Sequence, residues 1–174
     1  MFLDCGRCHL RPWRTEDAPA LLRHADNPKV AANLRDRFPS PYTPADAEAW
    51  LSIVTMSDPL LDFAIALDDE PVGGIGLALG SDIERVSAEV GYWLGEDYWG
   101  RGLATEALRA FVPWAMSRFG LTRMYATAFA HHRASRRVLE KAGFTLEAIL
   151  RRAAIKRGEV LDMALYGFVV EAPA

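Results

Sequence analysis

Two glycines one residue apart, Gly100 and Gly102, stand where an apolar run gives way to a helical repeat. Such a junction can bind an anion. The N–H groups of a first helical turn have no intrahelical partner, and the helix dipole is positive there. Glycine leaves no Cβ between that backbone and an approaching phosphate. A tight strand-to-helix connection without a ligand is the competing reading of the glycines alone. The apolar run, residues 88–94, contains one acid, Glu89. A carboxylate there is costly unless exposed or paired. Surroundings that raise its pKa would suit it to accept a proton; otherwise it is a solvent-facing strand acid between Ala88 and Val90. His131 and His132 compete for the role of base, or His132 merely caps a helix.

Other phosphate loops fit poorly. A P-loop needs Gly-Lys-Ser/Thr after a four-residue spacer, and the sequence has none. A dinucleotide fingerprint wants Gly or Ala where Thr105 stands and an acid about 20 residues on, where residues 125–129 read Tyr-Ala-Thr-Ala-Phe. Instead, Trp99-Gly100-Arg101-Gly102-Leu103-Ala104 resembles the acyl-CoA-binding motif of the GNAT N-acetyltransferases, Gln/Arg-x-x-Gly-x-Gly/Ala, with Trp in first place. Residues 98–107 are similar, almost letter for letter, to the Tyr-Trp-Gly-x-Gly-x-Ala-Thr-Glu-Ala pattern of the RimJ/RimL-like branch. The segment from His132 through Ser135 to Leu139-Glu140-Lys141-Ala142-Gly143-Phe144 resembles the second CoA motif, Asn-x-x-Ser…Leu-Glu-Lys-x-Gly-Phe, with His132 in place of Asn.

The resemblance covers nearly the whole chain and implies a single α+β domain of GNAT fold. Its sheet would be mixed but mostly antiparallel, with helices on both faces. It implies acetyl-CoA as cosubstrate, no metal, and direct transfer to a primary amine without an acyl-enzyme. Residues Trp99 to Thr105 would hold the cofactor's diphosphate. Backbone near Trp93 and Leu94 would pair with pantetheine and donate to the thioester oxygen, aided by a strand bulge at Gly91. Glu89 matches the strand glutamate used as base in several such enzymes. The tyrosine acid many of them carry falls at Leu139, which leaves Ser135 to donate to the CoA sulfur; its alternative is an ordinary polar helix residue. Arg137 or Arg136 would meet CoA phosphates, with a solvated basic face as the alternative. The acceptor is expected to be a protein N-terminal α-amine. A small amine or antibiotic stays open, because fold alone does not choose an acceptor. So does a non-catalytic CoA-binding module, given His132 and Leu139 at the two altered positions. A homodimer is one assembly the resemblance allows.

Composition sets wider bounds. The chain has 174 residues, 51% apolar and 25% charged, which suits one globular domain with a substantial core. A net charge of −3 argues against nucleic acid as the main partner. No apolar run approaches the roughly 20 residues of a membrane span. The first ten residues lack the pattern of a secretion signal, so the cytoplasm is the expected compartment. Cys5-Gly-Arg-Cys8-His9 matches the haem-attachment pattern and half of a zinc site. Haem attachment needs export and zinc needs four ligands, so the match reads as accidental.

Periodicity and breakers predict the elements that carry these residues. Strands are expected at 7–13, 63–67, 72–79, 87–94, 123–129, 144–155 and 160–169. Helices are expected from Thr15, over 29–34, from Thr43 to about 55, over 101–119, and over 132–142. Phe38 and Tyr42 lie on a Pro-rich loop rather than a periodic face, which makes them candidates for a substrate wall. Trp50 reads as packing.

Overall fold

A computed structural model describes residues 3–170. Eight strands form one sheet: β1 (Leu3–Asp4), β2 (His9–Pro12), β3 (Asp62–Leu67), β4 (Glu70–Leu79), β5 (Ser87–Leu94), β6 (Arg123–Phe129), β7 (Thr145–Lys156) and β8 (Glu159–Val169). Their order is β1-β2-β3-β4-β5-β6-β8-β7, and every neighbouring pair is antiparallel except β5 with β6. The parallel pair requires a crossover, which α4 (Leu103–Phe119) supplies. The other helices are α1 (Ala18–Ala25), α2 (Pro28–Ala31), α3 (Pro44–Met56) and α5 (Arg133–Lys141). The class is α+β with a mixed sheet, as the sequence implies.

Helix α4 anchors one face of the sheet. Ala107, Leu108, Phe111 and Ala115 recur at helical spacing and are fully buried. Burying a side chain such as Leu108 or Phe111 contributes about 1.5–3 kcal/mol. Phe111 meets Phe63 of β3 and Trp114 in a tilted aromatic cluster, with centroids 5.7 and 5.5 Å away. The helix stops at Gly120, whose φ of 63° is cheap only for glycine. On the opposite face Trp13, Leu21, Leu51, Val54 and Ala64 form a second, smaller core under α1 and α3.

Several boundaries differ from expectation. Thr15 does not cap a helix; residues Thr15–Asp17 form a 3-10 turn. There the Asp17 carboxylate accepts two 2.8 Å bonds from the buried Arg11. Asn27 does cap α2, accepting from the Lys29 N–H at 2.9 Å, but that helix ends by Ala31 rather than Leu34. Thr43 and Asp46 form a reciprocal capping box on α3. Strand β1 was not expected: two residues carry no readable alternation.

Candidate active site

The site begins at the start of α4. Gly100 and Gly102 have φ of 73° and 83°, a backbone region that side chains rarely adopt. A Cβ at Gly100 would meet nothing within 4 Å, so its backbone faces open space. Gly102 is the N-cap and no side chain caps the helix; the first bond runs from the Glu106 N–H to the Gly102 carbonyl at 3.1 Å. The amides of Leu103, Ala104 and Thr105 thus lie in the turn where the dipole is positive. Trp99 ties this turn to the sheet, its indole N–H donating to the Leu94 carbonyl at 2.9 Å. Arg7 braces the helix from the β1–β2 turn, donating to Glu106 Oε1 through Nε at 2.9 Å and Nη2 at 2.7 Å.

A slot continues from that helix start into the sheet. β5 pairs with β6 only over Ser87–Glu89 against Arg123–Tyr125, and beyond Glu89 the strands part. The register of β5 with β4 runs unbroken from Ala88 to Leu94. The expected bulge at Gly91 is therefore corrected: the gap arises where the parallel ladder ends, not from an extra residue. The β5 backbone from Val90 to Leu94 faces β6 without a ladder partner on that side.

Helix α5 closes one side of the slot. His132, Ser135 and Arg137 line it, while Arg136 turns away, donating to the Tyr166 hydroxyl and the Ala130 carbonyl, each at 3.0 Å. Arg137 is thus the arginine of the pair left facing the cavity. Burial, and then neighbouring His131, hold His132 below the ordinary histidine range. Ser135 Oγ lies 2.8 Å from the hydroxyl of Tyr92, on β5. Burial pushes the Tyr92 phenol up to about 12, so it keeps its proton at neutral pH.

Glu89 faces the other side of the sheet. Its Oε1 accepts from Arg35 Nη2 at 2.5 Å and from the Thr127 hydroxyl at 3.0 Å. Phe38, on the same loop as Arg35, packs against Tyr42 and against Trp93 of β5, with centroids 5.1 and 5.5 Å away. Tyr42 is 5% exposed and belongs to the second core, so it offers the cavity an edge rather than a free ring. Trp50 lines the cavity as well as packing.

These surfaces enclose one cleft of about 1230 Å³. That exceeds a single small-ligand pocket and suits a long cofactor together with an acceptor. Trp93, Leu94, Trp99, Gly100 and Gly102 line it, as do Leu103, Ala104 and Thr105. Arg101, like His131 and Arg136, lies outside the lining; its guanidinium lies over the Tyr98 ring, 5.2 Å from the centroid. Tyr92 and Asp62 are among the lining residues that the sequence does not mark. Tyr92 reads as one more apolar letter of β5, and Asp62 as the polar edge of β3. Only the pairing of strands shows that each faces the cleft.

The parts fit a chemistry of acyl transfer. An uncapped helix start receives phosphates, an unpaired strand edge receives an extended amide chain, and an acid and a hydroxyl reach the gap from opposite faces. Comparison with known proteins agrees with this geometry. Residues 7–145 match the family model described as an acetyltransferase (GNAT) domain. The chain is 27% identical over 170 residues to the uncharacterized N-acetyltransferase p20 of Bacillus licheniformis, covering 94% of this chain and 93% of that one. It is 28% identical over 109 residues to the ribosomal-protein-serine acetyltransferase of Escherichia coli, covering 63% of this chain and 60% of that one. The structure of Mycobacterium smegmatis RimJ in complex with CoA-disulfide superposes with a TM-score of 0.84 at 27% identity, over 97% of this chain and 86% of that one. With a family match over most of its length and a cleft of the right build, this chain belongs to the GNAT acetyltransferases and is an N-acetyltransferase.

Proposed function

We propose that the protein transfers the acetyl group of acetyl-CoA to a protein N-terminal α-amine. The observation that carries the cofactor half is the continuity of one cleft, from the uncapped start of α4 through the gap between β5 and β6. The amides of Leu103, Ala104 and Thr105 would hold the diphosphate, with Arg137 beside it. The free edge at Val90–Leu94 would pair with the pantetheine amides and donate an N–H toward the thioester oxygen. Acetyl-CoA supplies the activated acetyl group. No metal is invoked.

The chain's own residues handle the protons. Glu89 accepts the proton released by the attacking amine, directly or through water, once the incoming substrate displaces Arg35. Ser135, with Tyr92 behind it, donates toward the departing sulfur. Thiols leave more readily when the developing negative charge receives a hydrogen bond. The α-amine assignment draws support from the likeness to RimJ and to the ribosomal-protein-serine acetyltransferase. A panel of N-terminal peptides, polyamines and aminoglycosides, scored by mass for the acetylated product, tests it. Peptide α-amines should dominate; preference for a polyamine or aminoglycoside would replace that acceptor, and CoA binding without turnover would remove catalysis.

A further inference from the structure

The acceptor side of the cleft contains a second carboxylate. Asp62 on β3 pairs with Gly76 on β4, and Gly76 pairs with Gly91 on β5. Residues opposite one another across antiparallel strands share a face, as do residues two apart along a strand. Asp62, Gly76, Gly91 and Glu89 therefore share one face, and all four line the cleft. The glycines are not incidental. A Cβ at Gly76 would stand 2.1 Å from Asp62 Oδ1, so the carboxylate lies across bare backbone and leans toward β5. A Cβ at Gly91 would meet nothing within 4 Å, so the space between the two acids is open.

Among the described residues, the Asp62 carboxylate makes no hydrogen bond or ion pair, though Arg37 pulls on it electrostatically. Glu89 is held by Arg35, from the same loop as Arg37. Two acids thus face two arginines across one cavity, an arrangement in which cationic groups of a substrate can take the arginines' places. The backbones of Asp62 and Gly91 are two strand spacings apart, about 10 Å, and Glu89 lies two residues further along β5, so the two acids enter the cavity from separate positions. From this geometry we propose that Asp62 binds a second cationic group of the acceptor, so that the preferred substrate is an amine carrying another positive charge. The inference rests on acetyl transfer to an amine beside Glu89. For a peptide acceptor it names a basic side chain close behind the reacting terminus.

Matched acceptors test it: the peptides Ser-Lys-Ala-Ala and Ser-norleucine-Ala-Ala, and the amines 1,5-diaminopentane and 1-aminopentane. The wild-type enzyme should favour the dication of each pair by about tenfold in kcat/KM, mainly through KM, since one modest charge contact is worth about that factor. Asp62→Asn should reduce the ratio toward one, and Gly76→Ala, which displaces the carboxylate, should do the same. Equal use of both members of each pair by the wild-type enzyme would overturn the inference while leaving acetyl transfer intact. So would an Asp62→Asn loss confined to kcat and equal for both members, because that is the mark of a base. No acetylation of any of the four amines would remove the underlying reading and the inference with it.

Discussion

The hydroxyl of Tyr92 lies 2.8 Å from Ser135 Oγ, joining the middle of β5 to the first turn of α5 across the gap between the strands. The phenol, its ionisation pushed up by burial, keeps its proton and can hold the serine's lone pair. When the phenol donates to Oγ rather than to the Ser135 carbonyl 3.2 Å away, Ser135 keeps its own proton for a partner in the cleft. Tyr92→Phe should lower kcat about three- to tenfold, and Ser135→Ala by more, since a positioned proton donor contributes roughly 10²–10⁴-fold. The double variant should lose little beyond Ser135→Ala, because the two groups act as one unit. Fully additive losses in steady-state kinetics would separate them.

Glu89 presents the complementary case. Its Oε1 is shared by Arg35 and Thr127. Glu89→Gln keeps the shape and the Thr127 contact but removes the proton acceptor. It should cost about 10²-fold in kcat/KM, most severely at low pH, where free amine is scarce. A variant with wild-type kcat/KM across the pH range would move the base elsewhere, with His132 next in line.

Asp62 should reveal itself in stability as well as in specificity. Burial pushes its carboxyl up to about 6, against the pull of Arg37. The folded protein therefore favours the protonated acid more than the unfolded chain does. Ionised Asp62 costs stability above about pH 6, and the cost is mostly gone by about pH 4, where the folded acid is protonated and the unfolded one about half so. Asp62→Asn should thus be the more stable protein at about pH 7.5, by on the order of 1–2 kcal/mol, with most of the advantage lost near pH 4. Denaturant titrations at the two pH values check this; a variant destabilised equally at both would make Asp62 a structural residue.

Much of this was legible in the letters, for identifiable reasons. β5, β6 and α4 have strong periodicity, clear glycine stops and lengths that exclude the alternatives, and their observed bounds fall within two residues of expectation. The glycine turn was legible because a φ near +80° is cheap for glycine and costly for other residues. What escaped depends on pairing rather than on any one stretch. Tyr92 and Asp62 acquire meaning only when β5 meets α5 and β3 aligns with Gly76 and Gly91. The gap between β5 and β6 likewise follows from where a ladder ends, which leaves no trace in the residues that flank it. Arg101 and Arg136 show the converse: basic letters inside a motif whose side chains are claimed by Tyr98 and Tyr166.

The central claim is that the amides at the start of α4 hold the cofactor's diphosphate, and amide NMR with and without saturating acetyl-CoA tests it most directly. The resonances of Gly100, Gly102, Leu103, Ala104 and Thr105 should move together, and Tm should rise by several degrees as binding stabilises the folded state. Unmoved resonances at those five positions with an unchanged Tm would contradict the claim.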